Sequence, residues 1–382
     1  MCSGLMRKGN SMKITAVEVT PYRVPYREVH KITTLTLSAL ENVLVRIRTD
    51  EGVEGIGECV AEAKWNSSVV ESLAIVVGKY LGPNIIGMDP FHIREIWARM
   101  DKVVNGHEAA KSGIDMALYD LIGKALGIPV WRFLGGSNEI PIPVEGPGFG
   151  IGFMPAEKAV DLALKGISDG CRQIEIKCGH PQGSLHDIAV VKAVRKACGP
   201  EVSLKVDCTE AYTLKEALRV LPQFAENGVD WVEQPLPRHL LADTAEVRRQ
   251  VPTMIALEES VGSAADVLRA AAMGAADGIH AKLAMLGGIT KCREIAAICS
   301  TVGLGVLPGS STPSGIGLSA VHHFAASIDY ARGCHASPLA RTDDDIITEP
   351  LPAYPAEVKL TEKPGLGVDV DWGKMKHFAF EI

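Results

Sequence analysis

The sequence lacks long apolar runs, an excess of basic residues and paired cysteine spacings. No run of about 18 apolar residues occurs, which excludes a transmembrane helix. The formal net charge of −7 offers no basic surface for nucleic acid or for an anionic membrane. The nine cysteines show no paired spacing and are interpreted as reduced thiols of a cytoplasmic protein.

The sequence does contain enough apolar residues for a large core, with 47% apolar against 22% charged. Its 382 residues suit a barrel of roughly 200 to 250 residues with a smaller partner domain. Residues 1–11 lack the apolar core of a signal peptide and are interpreted as a disordered leader or expression remnant. We predict an N-terminal α+β domain over 12–136, a barrel over 137–350 and a C-terminal segment, 351–382, that packs back on the first domain.

Two stretches of the N-terminal domain are predicted to be irregular. The first, Pro25–Ala39, joins two predicted strands, is too long for a tight turn and carries His30 and Lys31. The second, Val60–Ser67, contains Trp65, which could cover a ligand or simply pack under the loop. Long loops in compact domains are often lids or binding loops, and a mobile surface loop is the alternative.

From residue 137 onward, short apolar runs alternate with helical segments, as in parallel βα units. Ile140–Val144 is the first predicted strand, Leu304–Leu307 the seventh and Gly333–His335 a short eighth. The five runs between them each end at one ionisable residue: Lys177, Asp207, Glu233, Glu258 and Lys282. Eight strands at this spacing predict a closed (β/α)8 (TIM-like) barrel, an α/β fold.

The three acidic strand ends predict a metal site. The five ends are separated by 30, 26, 25 and 24 residues, the period of one strand plus one helix, and such ends meet at one barrel mouth. Carboxylates there repel by about 4 kcal/mol per pair at about 4 Å and an effective dielectric of about 20. A cation between Asp207, Glu233 and Glu258 relieves this repulsion, and oxygen ligands favour Mg²⁺, or Mn²⁺, over Zn²⁺. Three separate surface ion pairs are the alternative, disfavoured by the shared strand-end position.

Lys177 and Lys282 come from strands on opposite sides of the three acidic strands. A substrate carboxylate bound at the cation would have one lysine facing each side of its α-carbon, an arrangement for removing or delivering a proton. Burial and a nearby cation both lower a lysine pKa toward the range of a useful base. Either lysine alone would be interpreted as an ion-pair partner of the acids, but the symmetrical pair favours a catalytic role.

Four short motifs match those of a known enzyme family. They are Ala110-Lys111-Ser112-Gly113-Ile114-Asp115 with Gly127-Ile128-Pro129-Val130, Glu233-Gln234-Pro235, Glu258-Glu259-Ser260, and Lys282 followed by Gly287-Gly288. With them the chain resembles the enolase superfamily, muconate lactonizing (muconate cycloisomerase) subgroup, over nearly its whole length from Met12. The resemblance implies a capping N-terminal domain whose two loops close over the substrate, the metal ligands named above, a lysine base and a homo-oligomer.

The chain departs from the family's pattern at positions that affect the substrate. Members usually carry Lys-x-Lys at the end of the second barrel strand, where this chain has Glu175-Ile176-Lys177. The outer lysine is thought to tune its neighbour, so Glu175 is expected to leave Lys177 more basic. Met285 stands where a further lysine is expected. Cys334-His335-Ala336-Ser337 replaces an acidic-aromatic motif of muconate-processing members, and the aspartate pair of dipeptide epimerases is missing.

We predict a Mg²⁺-dependent isomerase that moves a proton at the carbon α to a substrate carboxylate. Cycloisomerisation of a muconate-like diacid fits the subgroup and the tail motif Asp344–Pro350. The same groups could also racemise or epimerise an amino-acid derivative, or dehydrate a hydroxy acid. The non-enzyme alternative is an inactive barrel that binds a small acid. Candidate substrate contacts are His30, Lys31, Trp65, Ser310, Ser311 and His335, although the two serines fit turn positions equally well.

Overall fold

A computed structural model describes residues 11–32, 35–64, 67–139, 142–146, 151–329, 334–335, 340–353 and 357–382. The chain forms a three-stranded antiparallel sheet with helices, followed by eight parallel strands that alternate with helices. The predicted fold class, a (β/α)8-type barrel with an N-terminal α+β domain, is confirmed. None of the helices in these ranges combines the length and apolar character needed to cross a membrane.

The N-terminal sheet pairs its strands in chain order, and one helix packs closely on its third strand. The strands are β1 (Ile14–Ile32), β2 (Leu35–Thr49) and β3 (Glu54–Val60). The helical segments are α1 (Val70–Ile75), a π-helical turn (Val76–Leu81), α2 (Gly82–Ile85), α3 (Ile93–Val103), α4 (Glu108–Leu126) and α5 (Val130–Phe133). A Cβ atom on Gly57 of β3 would lie 2.1 Å from the carbonyl oxygen of Gly113, so only glycine permits the approach of α4.

The stretch Pro25–Ala39 is not the long loop that the sequence predicted. Its described residues continue the pairing of β1 with β2, which runs from Ile14 opposite Thr49 to Ile32 opposite Leu35. The register shifts between Pro25 and His30, where five steps along β1 oppose two along β2. This irregularity interrupts the two-residue alternation by which a strand is identified, and the prediction was therefore wrong.

The barrel sheet has the strand order β10-β9-β8-β7-β6-β5-β4-β11, and β10 and β11 are also neighbours. The strands are β4 (Val144–Gly146), β5 (Gln173–Lys177), β6 (Ser203–Asp207), β7 (Trp231–Glu233), β8 (Met254–Leu257), β9 (Gly278–Lys282), β10 (Gly305–Gly309) and β11 (Cys334–His335). The helices are α6 (Ala156–Asp169), α7 (Ser184–Cys198), α8 (Leu214–Glu226), α9 (Leu241–Gln250), α10 (Ala264–Met273), α11 (Leu283–Leu286), α12 (Gly288–Val302), α13 (Gly315–Ala325) and α14 (Trp372–Phe378). The first strand lies later than predicted, and residues 140–141 lie outside the described ranges.

Side chains alternate along the barrel strands between the helices and the barrel interior. On β5 and β6, Ile174, Ile176, Leu204 and Val206 belong to one buried apolar cluster with residues of the surrounding helices. The alternate residues of the two strands point the other way: Gln173, Glu175, Lys177, Lys205 and Asp207. The barrel interior is therefore lined by ionisable groups that need one another as partners.

The C-terminal segment contacts the N-terminal domain. The amide of Gly365 donates to the carbonyl of Ile128 at 3.1 Å, and its carbonyl accepts from the amide of Val130 at 2.9 Å. Near the end of the chain, the amide of Phe380 donates to the carbonyl of Pro21 at 3.1 Å. Backbone hydrogen bonds thus tie the end of the chain to both ends of the N-terminal domain.

Glu58 on β3 joins the N-terminal domain to the barrel. Its carboxylate is fully buried and accepts hydrogen bonds from the side chains of Tyr22 and Asn42. It also accepts from the amide and hydroxyl of Ser314 at 3.0 Å and from the amide of Gly317 at 2.9 Å. These amides begin helix α13 and have no helical partner, so the carboxylate satisfies them and interacts favourably with the helix dipole.

Glu58→Ala is expected to lower the free energy of unfolding by about 3 kcal/mol or more, because each buried donor left unpaired costs about 1–3 kcal/mol. Chemical denaturation measures the change. Glu54→Ala on the same strand is the matched control, since the pairs of Glu54 with Arg46 and Arg48 are still open to solvent and are expected to contribute about 1 kcal/mol or less. Equal effects of the two variants would contradict the role of Glu58.

Candidate active site

The five charged strand ends lie together at one mouth of the barrel. Lys177, Asp207 and Glu233 are the last residues of β5, β6 and β7, and they are partners in register. Glu258 directly follows β8, and Lys282 ends β9. All five are 6% exposed or less, so their charges are balanced by one another rather than by water.

Glu233 lies at the centre of the acidic group. Its carboxylate belongs to two clusters of potential ligand atoms within 4.8 Å of one another, one with Glu175 and Asp207 and one with Glu258 and His280. Asp207 and Glu258 thus each approach Glu233, from the strands on either side of β7. Buried carboxylate oxygens are the ligands that a hard divalent cation prefers, so the chemistry of these side chains fits such an ion.

The two lysines lie on opposite sides of Glu233, each held by an acid. The ammonium of Lys177 contacts the carboxylate of Asp207 and lies 3.0 Å from Glu175 Oε1, and that of Lys282 lies 2.6 Å from Glu258 Oε1. Burial alone would favour the neutral amines. The nearby carboxylates have the larger effect and favour the ammonium forms. Asp207 and Glu175 raise the pKa of Lys177 above its usual value, and Glu258 and Glu233 do the same for Lys282. The direction agrees with the expectation that Glu175 makes its neighbour more basic.

A second set of charges lies deeper in the barrel and was missed from the sequence. Lys205 is fully buried, and its Nζ lies 2.7 Å from both Glu145 and Glu175 and 2.9 Å from Glu233. His280 Nδ1 lies 2.7 Å from Glu233 Oε1. Although burial opposes ionisation, His280 and Lys205 hold the pKa of Glu233 well below its usual value. Lys205 and His280 each lie two positions before a strand end, and that spacing alone predicts that they point into the barrel.

The structure places only part of the predicted substrate contacts. Ser310 and Ser311 follow β10, are at most 2% exposed, and the Ser311 hydroxyl donates to the Met285 sulfur at 3.7 Å. The backbones of His30 and Lys31 lie on β1 and that of His335 lies on β11, but the side chains of all three are outside the described part of the chain. Trp65 is outside it altogether.

Glu62 is a further acidic residue near the mouth that the sequence did not single out. It lies in the stretch Val60–Ser67, is 6% exposed, and its Oε1 accepts a hydrogen bond from the Thr312 hydroxyl at 3.3 Å. Its charge interacts with Lys282 and Lys177. The available signal was that Glu62 is the one acid in a stretch already expected to close over the substrate.

Two family models match the chain. The model for the mandelate racemase / muconate lactonizing enzyme N-terminal domain matches residues 13–135, and the model described as enolase C-terminal domain-like matches residues 158–374. Together they span most of the sequence.

Individual proteins are similar over almost their full length. Muconate cycloisomerase 1 of Rhodococcus opacus is 31% identical over 96% of this chain and 98% of its own. The crystal structure of 2-chloromuconate cycloisomerase from Rhodococcus opacus is 30% identical with a TM-score of 0.91, covering 96% of this chain and 100% of that one. The crystal structure of dipeptide epimerase from Enterococcus faecalis complexed with Mg and the dipeptide L-Leu-L-Tyr is 30% identical with a TM-score of 0.86, covering 93% and 99%. The chain therefore belongs to the mandelate racemase/muconate lactonizing enzyme family of the enolase superfamily.

Proposed function

We propose that this protein is a metal-dependent isomerase that transfers a proton at the carbon α to a substrate carboxylate, with Lys177 and Lys282 as its acid and base. The observation that supports this most directly is the placement of two buried lysines on opposite sides of three convergent carboxylates. One lysine takes the α-proton as a neutral amine, and the other delivers a proton as an ammonium.

We propose Asp207, Glu233 and Glu258 as ligands of Mg²⁺, with Mn²⁺ as the alternative. When bound, such an ion supplies stabilisation of the negative charge that develops on the substrate as the α-proton leaves. Asp207 and Glu258, when engaged as ligands, would hold the lysines less strongly, which lowers the pKa of both amines toward a range useful for a base. Glu175 is not one of these ligands and would remain beside Lys177. The family's Mg-complexed epimerase structure supports the choice of ion.

Two isomerase reactions are candidates. Cycloisomerisation of a muconate-like diacid is the first, supported by the similarity to muconate and chloromuconate cycloisomerases. Racemisation or epimerisation of an amino-acid derivative is the second, favoured by a lysine for each face of the α-carbon and by the similarity to a dipeptide epimerase. On the family resemblance we also propose a homo-oligomer. The seven cysteines whose side chains the structure describes are all free thiols, which is compatible with the cytoplasm.

The reaction is tested by following α-proton exchange by NMR in D₂O with the Mg²⁺-loaded protein. Muconates, N-acylated amino acids, dipeptides and proline derivatives form the substrate panel. Exchange or turnover of at least one carboxylate supports the proposal. A folded, metal-loaded protein that turns over none of these classes would be the inactive binding barrel instead.

Removal of divalent cations is expected to lower the thermal stability of the wild-type protein, and re-addition of Mg²⁺ should restore it. Binding at 100 times Kd contributes about 2.7 kcal/mol to the free energy of unfolding. Differential scanning calorimetry with and without chelator measures the shift. Asp207→Asn should abolish most of it, whereas the surface control Glu216→Gln should keep it. If neither the chelator nor added Mg²⁺ changed the melting temperature of the wild-type protein, the proposed metal site would be contradicted.

A further inference from the structure

Glu62 is an acid that the N-terminal domain contributes to the mouth of the barrel. It follows β3 by two residues, and the hydroxyl of Thr312, after β10, donates a hydrogen bond to its carboxylate at 3.3 Å. It is 6% exposed, so it is oriented by protein contacts rather than by water. A carboxylate from the N-terminal domain is thus held by the segment that follows β10 at the mouth of the barrel.

The charge of Glu62 acts on the two lysines to which the proposed function assigns the proton transfer. It interacts with Lys282 and with Lys177, and in return it helps to keep Lys282 protonated. Thr312, which holds Glu62, comes three residues after Gly309, the register partner of Lys282, so Glu62 lies at the same mouth of the barrel. A substituent on the α-carbon of a bound carboxylate would therefore lie close to this negative charge.

The charge balance of the site favours a cation beside Glu62. The two lysines of the mouth are already paired with other acids, Lys177 with Asp207 and Glu175, and Lys282 with Glu258. A substrate with two carboxylates would add further negative charge to this region. Burial raises the pKa of Glu62, so its charged form gains from a neighbouring cation.

Arg341 is the group that would serve a second substrate carboxylate. Its guanidinium hydrogen-bonds the hydroxyl of Tyr26. The same hydroxyl contacts Thr312 and interacts electrostatically with the carboxylate of Glu62. Glu62 is among the charges that act most strongly on Lys282, and Arg341 is not. The acid is therefore the group that acts on the position next to the reacting carbon.

We propose that the substrate carries a positively charged nitrogen on its α-carbon, as in an α-amino or N-alkylated amino carboxylate, and that Glu62 binds this nitrogen. The inference rests on the proposed function and selects racemisation or epimerisation over cycloisomerisation. The step is balanced: the C–H bond breaks as one lysine amine accepts the proton, and the other lysine's ammonium gives a proton to the opposite face. No other bond changes and no oxidant or reductant is required.

The test compares matched probes with the wild-type protein and Glu62→Gln, both loaded with Mg²⁺. Alanine, leucine, lysine and proline are offered with a cationic nitrogen, free or N-methylated, and as N-acetyl derivatives in which that nitrogen is neutral, with cis,cis-muconate alongside. We expect the wild-type protein to prefer the cationic forms. Glu62→Gln should raise KM for them about 10- to 100-fold, the range for losing a hydrogen bond to a charged group, and leave exchange of the N-acetyl forms within about threefold.

Two further variants distinguish recognition of a charged nitrogen by Glu62 from a purely structural role of this side chain. Glu62→Asp keeps the charge and should retain the preference for cationic probes. This variant also serves as the test if Glu62→Gln does not fold. Glu71→Gln removes an exposed acid of the nearby helix α1 and should change nothing. Turnover of muconate or N-acetyl probes by the wild-type protein, with Glu62→Gln affecting all probes alike, overturns the inference while the proposed proton transfer stands. Exchange of none of the probes overturns both.

Discussion

Lys282→Ala is expected to slow α-proton exchange by about 10²- to 10⁴-fold or more, the range for loss of a general acid or base. Lys177→Ala should cause a loss of similar size on the opposite face of the α-carbon. The physical reason is that each ammonium is buried beside the carboxylates proposed as metal ligands, so water has little access to take its place in the proton transfer. Exchange measured separately from the two enantiomers of a substrate, by NMR in D₂O, assigns each lysine to its face.

Lys282→Arg separates the effect of losing the charge from the effect of losing proton transfer. Arginine keeps a cation beside Glu258, but its guanidinium remains protonated and cannot act as a base. We therefore expect Lys282→Arg to lose exchange as Lys282→Ala does while it keeps more of the stability. Lys165→Ala, which removes an exposed lysine from helix α6, is the control without effect. If Lys282→Ala still exchanged the proton on both faces at the wild-type rate, the assignment of two bases would be wrong.

Lys205→Met is expected to have the largest effect on stability, about 3–5 kcal/mol, the usual result of removing one partner from a buried ionic network. Without its ammonium, Glu145, Glu175 and Glu233 lose the cation that all three share at 2.7 to 2.9 Å. Three carboxylates would then repel one another in a region that water does not reach. Chemical denaturation in saturating Mg²⁺ measures the change.

A double variant tests whether the loss comes from uncompensated charge. Adding Glu145→Gln to Lys205→Met removes one of the three carboxylates and should recover part of the lost stability. Lys192→Met on helix α7 replaces an exposed lysine by the same residue and should change the free energy of unfolding by about 0.5 kcal/mol or less. A Lys205→Met protein as stable as Lys192→Met would show that the network contributes nothing.

The sequence predicted the barrel and the convergence of its charged strand ends because both follow from local regularities. Short apolar runs at the period of one βα unit determine the parallel strands, and an ionisable residue at the end of such a run must lie at the common mouth. Lys205 and His280 were missed although the two-residue alternation of a strand places them inside the barrel. The alternation shows where a side chain points, but which acids reach it depends on three or four strands at once.

Other features depend on contacts between distant parts of the chain. The strand pairing of Pro25–Ala39 includes a register shift that has no period, so no sequence pattern distinguishes it from a loop. Glu62 and Glu58 acquire their partners only when the N-terminal domain meets the residues that follow β10. In the sequence each is one acid among many beside an apolar strand, and nothing local separates it from a solvated surface charge.

Strands that are neighbours in the barrel are also neighbours in the sequence from β4 to β10. Each step from Lys177 to Lys282 therefore closes a loop of only one βα unit, and the entropy cost of closing such loops is small. Glu62 precedes Lys177 by 115 residues and reaches the mouth only after the N-terminal domain has docked. A folding chain can thus assemble its acids and bases before the group that selects the substrate arrives, and such an intermediate would hold a cation without discriminating between charged and neutral nitrogen.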